Sequence, residues 1–282
     1  AEQTGRVITM DNCDNNIISD LTITGGSSDH GGGMYLVSSN PTLTHVTISD
    51  NTVLNYGGGM RLDSSNPTLN NVTIANNTAN YDGGGMCYIN SSNPTLTNSI
   101  IWNNSPESIY LASGNNEPII TYSDIEGGFE GEGNIDSDPL FTDPDNGDYT
   151  LQEGSPCIDT GDPFIWYNDI DMTRADMGAT GGLFILPNFT SHDFGEVGDL
   201  GSSKQFTLYN FRETPITISS VTFGTASFTT NASFPMIIAP LETGIISINA
   251  NNTSLGYVQD AMEIISEDLP DGLSVSLSIT GT

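Results

Sequence analysis

Carboxylates are the most abundant reactive groups of this chain, so the first question is what their spacing could hold. There are 35 Asp and Glu against five basic residues, Arg6, Arg61, Arg174, Lys204 and Arg212, for a formal charge of −30. Asp143-Pro144-Asp145-Asn146-Gly147-Asp148 sets three carboxylates around a Gly turn, the oxygen-rich composition of a calcium loop. Asp143, Asp145 and Asp148 are therefore the candidate metal ligands, and Ca2+ the candidate ion. Such a loop closes with a bidentate Glu downstream, which this one lacks. An Asx-rich turn joining two strands explains the same hexapeptide, and the residues favour that reading.

Two other chemistries can be weighed. Proton abstraction from a uronate needs an Arg or Lys with cations to neutralise the acid. The N-terminal two thirds of the chain offers Arg6, Arg61 and Arg174. Arg61 is expected to point outward from a strand, and a lone outward Arg is more often a solvated surface residue. Glycoside hydrolysis needs paired carboxylates. Asp20, Asp50 and Asp63 are candidates, yet within the repeat described below Asp50 aligns with Asn76 and Asp20 with His45. Cys13, Cys87 and Cys157 leave at least one thiol unpaired and form no disulfide framework. His30, His45 and His192 are too scattered for a zinc site.

The elements that must position these residues come from an internal repeat. Gly-Gly-Gly-Met starts at Gly31, Gly57 and Gly83, and Ser-Ser-Asn-Pro-Thr-Leu at Ser38, Ser64 and Ser91. Periods of this length mark solenoids. About five coils are expected between Arg6 and Ile125, each with two strands. Met34/Leu36 and Met60/Leu62 alternate with Tyr35 and Arg61, as a half-buried strand requires. Leu43, Val46 and Ile48 form the second apolar set. Stacking coils ~4.8 Å apart aligns Met34, Met60 and Met86 inside, and Thr22, Thr47 and Thr73 outside. Asn51, Asn77 and Asn104 then stack at a corner where their amides can bond along the stack. A leucine-rich repeat also fits Leu43, Val46, Ile48 and Asn51. The return segment decides against it, because a Gly triplet and Ser-Ser-Asn-Pro make a poor helix.

The repeats resemble secreted bacterial β-helix proteins of the pectin-lyase-like superfold. The resemblance continues through Asn134–Phe141, Gly147–Leu151, Gly154–Asp162 and Asp176-Met177-Gly178-Ala179, which look like the closing segment of that group. It implies a right-handed parallel β-helix whose members with this ending are mostly surface proteins. Residues 126–182 are expected to cover the last coil, since solenoids need terminal caps. The Asn-Thr-Asp, Asp-Asp, Gly-His-Gly and Arg-Ile-Lys strings of a polygalacturonase are missing.

Past Leu183 the repeat stops and strands follow at Lys204–Asn210, Ile216–Phe223, Gly244–Ala250, Ala261–Ser266 and Ser274–Thr280. Asp193-Phe194-Gly195, Phe206–Asn210, Pro215–Ile218, Ala239-Pro240 and Leu277–Gly281 resemble the ASPM–SPD2–Hydin immunoglobulin-like family. That family usually has Asn-x-Gly where this chain has Asn210-Phe211-Arg212, so this turn is expected to differ. The fold class is thus all-β: a right-handed parallel β-helix over 1–182, closed by 126–182, then an Ig-like β-sandwich over 183–282.

Composition bounds the function. A charge this negative makes nucleic acids and anionic membranes poor partners. No stretch reaches the ~20 apolar residues of a membrane span. Ala1 is followed by no basic stretch or apolar core, so any secretory signal is expected to lie outside the sequence. Eight Asn-x-Ser/Thr sequons matter only in a glycosylating source. The outer Thr ladder suggests an ice-binding face, but Ser49 and Ala75 break the array. Residues 1–10 lead straight into a strand, so an open sheet edge and self-association are expected, as a homo-oligomer or polymer. The residues favour a non-enzymatic structural or adhesive protein, extracellular or on a cell surface, with extracellular glycans as partners. The alternative is a carbohydrate-active enzyme, lyase or hydrolase, with a small site near Arg61, or a glycan-binding protein.

Overall fold

The computed structural model describes residues 5–112, 114–198, 200–251 and 256–281. Two compact units emerge, Ala1–Asp169 with Thr173–Gly182, and Leu183–Thr282 with Ile170–Met172.

The first unit is a parallel β-solenoid of about four turns. Its first sheet stacks Ile8–Asp11, Met34–Val37, Met60–Asp63, Met86–Ile89 and Ile109–Leu111, all parallel. Five rungs in this sheet enclose about four turns, one fewer than the five coils expected. The second sheet stacks Asp14–Thr24, Asn40–Ser49 and Thr68–Ala75, then splits into Thr95–Thr97 and Ile100–Trp102. Like sits on like: Met34, Met60 and Met86 are in register and fully buried. A third, short sheet of Ser27–His30, Thr52–Tyr56 and Thr78–Ala79 was not expected. Ser27–His30 is polar and Thr78–Ala79 only two residues long, so both owe their strand pairing to Thr52–Tyr56 between them.

The corners explain the abundance of Asn, Asp, Ser and Gly. Asp20, His45, Asn71, Asn98 and Tyr122 all turn with φ between 48° and 52°. Asn12, Ser38, Ser64 and Asn90 form a second such column at φ between 46° and 54°. Short polar side chains tolerate this left-handed region best. Inside a further corner, Asn51 N and Nδ2 donate to Asn77 Oδ1 at 3.1 and 3.0 Å, and Asn77 Nδ2 donates to Asn104 Oδ1 at 3.0 Å.

The closing segment departs from expectation. Residues up to Ile135 do extend the last coil, through Ser123 N donating to Asn134 Oδ1 at 3.0 Å and a bridge from Asp124 to Ile135. Beyond it the chain folds back across the outer face of the second sheet rather than over the solenoid end. Ala179 N donates to Thr73 Oγ1 at 2.9 Å, Asn71 Nδ2 to Asp176 O at 3.0 Å and Asp162 N to Asn98 Oδ1 at 2.6 Å. Thr73 is consequently 1% exposed, and the Thr ladder is no open ice-binding face. The polar outer groups of this sheet are hydrogen-bonding partners waiting for a strap.

The second unit holds two four-stranded sheets. One runs Ile185–Pro187, Ser202–Asn210, Thr243–Ala250, Phe228–Thr230. The other runs Ser191–Val197, Ser274–Gly281, Gly256–Ile265, Ser220–Phe223, with its first pair parallel. Ile216–Ile218 pairs separately with Met236–Ile238, so the single strand expected at Ile216–Phe223 is two, on different partners. Phe206, Leu208, Met262, Ile264, Val275, Leu277 and Ile279 are buried, as their alternation requires. No helix among the described residues is long and apolar enough to cross a membrane.

Candidate functional site

Arg61 lies on the outer face of the first sheet, in register between Tyr35 and Cys87, where the repeat places it. Alternation turns Met60 and Leu62 inward and Arg61 outward. Tyr35 is held between two guanidinium groups, with Arg6 4.7 Å and Arg61 5.5 Å from its ring centre. Arg61 also lies 6.0 Å from the Tyr56 ring. Tyr56 stacks on His30 at 5.7 Å with planes 5° apart, and on Tyr110 at 6.2 Å and 10°. His30 and Tyr56 come from successive coils and Tyr110 from two rungs further on, so the stack runs along the solenoid axis.

The polar contacts complete the picture. Arg6 Nε donates to Gly31 O at 2.8 Å and Nη2 to His30 O at 2.6 Å. Arg61 Nη1 pairs with His30 Nδ1. Burial, and next the charge of Arg61, hold His30 below the ordinary imidazole range. A neutral ring accepts at Nδ1 and keeps its proton on Nε2. Burial lowers Arg6 as well. Cys87, under this face, is 1% exposed and its thiol is pushed up to about 11 by burial, so it is no thiolate nucleophile at neutral pH.

Such an arrangement suits cohesion better than proton transfer. Each guanidinium over a ring contributes about 0.5–2 kcal/mol, and only in its charged form. The rings therefore oppose the deprotonation that a lyase base requires. Two of the hydrolase candidates are engaged: Asp63 Oδ1 accepts from Asn90 Nδ2 at 2.9 Å and Asp50 Oδ2 from the Tyr149 hydroxyl at 3.3 Å. Asp20, raised chiefly by burial, aligns with His45 and has no second carboxylate beside it in the repeat.

Asp143, Asp145 and Asp148 lie where a hairpin of Phe141–Asp143 and Asp148–Leu151 turns through a short 3-10 helix, Pro144–Asn146. Asp143 Oδ2 accepts from Asn146 Nδ2 at 2.8 Å, and Asp148 Oδ1 from Thr150 N and Oγ1 at 3.0 and 2.6 Å. Those bonds hold Asp148 below the usual carboxylate range. Among the described residues, a different set, Asp159, Asp169 and Asp176, brings one carboxylate oxygen each to within 4.8 Å of the others. Asp176 Oδ1 accepts from Asp159 N at 2.8 Å, and Asp169 Oδ2 from Asp176 N at 2.9 Å. Burial and then the neighbouring Asp176 raise Asp169. Sequence reasoning saw Asp159 and Asp176 only as marks of a resemblance. The chain path that brings them to Asp169 has no local signal.

Residues 2–129 match the family model of a right-handed β-helix region. No curated protein matches the chain. Among solved structures it is similar to a protein of unknown function from Porphyromonas gingivalis W83, with 14% identity and a TM-score of 0.30 over 34% of this chain and 46% of that one. The Vibrio cholerae VesB protease is similar over 34% of this chain and 32% of that one, at 14% identity and a TM-score of 0.28. The ASH/PapD-like domain of human CEP192 is similar over 36% of this chain and 86% of that one, at 13% identity and a TM-score of 0.30. This chain thus spans less than half of the first two proteins.

Proposed function

We propose that this right-handed β-helix protein is a non-enzymatic, extracellular structural and adhesive protein. One observation carries the reading: the outward groups that could have done chemistry are bonded from coil to coil. Arg6 and Arg61 clasp Tyr35, and His30 and Tyr56 stack, while beneath the surface the buried Asn51, Asn77 and Asn104 form an amide ladder. A catalytic face needs groups free to reach a substrate within hydrogen-bond distance rather than held by one another. Here they stiffen a rod. The second unit is read as an Ig-like sandwich over 183–282, an accessory module of the adhesive protein. The acidic surface keeps the rod soluble and directs it toward neutral glycans. Self-association through the first coil would extend single rods into arrays.

The deciding experiment incubates the protein with a panel of uronate and neutral polysaccharides plus calcium. Silence in new reducing ends and in the absorbance of unsaturated products is expected, with retention of the protein on glycan-coated beads. Product formation that disappears in Arg61→Ala would make the protein a carbohydrate-active enzyme and end the adhesive reading.

A further inference from the structure

We infer that a cleft formed where the closing segment crosses the second sheet binds a neutral saccharide, with Trp102 as its platform. This gives the adhesive reading its ligand and rests on that reading. The cleft encloses about 310 Å³, with Trp102 and Leu140 among its walls and Asn76, Asn103, Asp138 and Gln152 around them. That volume lies at the lower end of the ~300–1,000 Å³ of ligand sites. Trp102 ends the strand Ile100–Trp102 and is only partly buried, whereas the chain's other tryptophan, Trp166, is 4% exposed.

The hydrogen bonds already made define what remains. Asn103 Nδ2 donates to Asn76 Oδ1 at 2.7 Å, and Asn76 Nδ2 to the Tyr149 hydroxyl at 3.0 Å. Gln152 Nε2 donates to Phe141 O at 2.8 Å, and Asp138 Oδ1 accepts from Leu140 N at 3.0 Å. Each of these amides has one N–H engaged and one left to donate, while Asn103 Oδ1, Gln152 Oε1 and Asp138 Oδ2 remain as acceptors. An indole ringed by amide donors and by acceptors matches a sugar ring, whose C–H face stacks and whose hydroxyls both donate and accept. No basic residue lines the cleft and Asp138 does, so a uronate, sulfate or phosphate would meet repulsion. The walls are preformed, because Gln152 N donates to Leu140 O at 2.9 Å and holds the hairpin that carries them.

Calorimetric titration of the whole chain with neutral gluco-, xylo- and manno-oligosaccharides, and with oligogalacturonate, tests the assignment. At least one neutral oligosaccharide is expected to bind, about tenfold or more weaker in Trp102→Ala. Because that variant opens a gap beside packed residues, Trp102→Phe and Gln152→Ala are measured too. The first should keep part of the affinity, and the second should lose affinity with an unchanged melting temperature. No neutral ligand, equal binding in all three variants, or preference for oligogalacturonate would each overturn the site. Failure here with retention on glycan-coated beads intact leaves the adhesive reading standing. Cleavage of a bound neutral sugar would instead end that reading while the site stands.

Discussion

Asp124 shows how a single side chain can make the closing segment sensitive to pH. Its carboxylate is 0% exposed, accepting from Cys157 Sγ at 3.2 Å and from Ser137 N at 3.1 Å. Burial is the largest influence and pushes it up to about 6, with Asp136 and Asp138 adding weaker repulsion. Cys157 is raised too, by burial and by Asp124, so the pair holds a thiol at neutral pH. A carboxylate raised above its unfolded value favours the fold fully below that value, near 3.8, and loses the contribution as pH climbs through 6. Two units correspond to about 3 kcal/mol. Thermal melts should therefore rise between pH 7.5 and pH 4.5. Asp124→Asn should melt higher than the native chain at pH 7.5 and match it near pH 4. Parallel pH profiles of the two proteins would show that the buried carboxylate is not responsible. Nothing in the sequence marks Asp124, because its burial depends on Cys157 arriving from a distance of 33 residues.

At the scale of one coil, the repeat must satisfy two constraints at once, bonding along the stack and closeness across it. Asn77 makes five ladder contacts: Nδ2 reaches Ile48 O, Ala75 O and Asn104 Oδ1, and Oδ1 accepts from Asn51 N and Nδ2. Asn77→Ala orphans several fully buried groups, each costing about 1–3 kcal/mol, and should lower stability by at least ~3 kcal/mol in urea unfolding. A loss below ~1 kcal/mol would mean that water replaces the amide. Gly59 tests closeness. A Cβ there would sit 2.7 Å from Gly85 O and 3.0 Å from Ile74 Cγ2, so Gly59→Ala must push two coils apart. Gly147→Ala meets nothing within 4 Å and carries only the strain of φ +80, roughly 1–2 kcal/mol. Gly59→Ala should be the far more damaging change by urea midpoint. Both rules were legible beforehand, since repetition exposed the Met and Asn ladders and the Gly triplet. The third sheet was not, because Ser27–His30 shows no apolar alternation and owes its strand to Thr52–Tyr56 alongside. The strap across the second sheet was equally hidden, since it is specified by polar contacts such as Ala179 with Thr73.

For the whole molecule, the proposed self-association would depend on the balance between the edge that the described first coil presents and a heavy negative charge. Among the described residues, Asp14–Thr24 pairs only with Asn40–Ser49, and Ile8–Asp11 only with Met34–Val37. That first coil leaves Val7, Ile17 and Leu21 at 47%, 38% and 40% exposure, whereas Val46, in register with Leu21 one coil on, is buried. An edge of this kind pairs with any strand it meets unless something opposes it. The opposition here is electrostatic, a formal charge of −30 on each copy. Repulsion between separated copies is screened over ~10 Å at 0.1 M salt and ~3 Å at 1 M, while burial of apolar surface does not weaken with salt. Light scattering should then show monomers in dilute buffer and growing association as sodium chloride rises toward 1 M. Leu21→Lys should suppress that growth by placing an unpaired ammonium on the edge, although it lowers the net charge and would by repulsion alone promote association. The two mechanisms predict opposite signs for this variant. Association that increases in Leu21→Lys, or that never appears in high salt, would remove the first coil from any account of assembly.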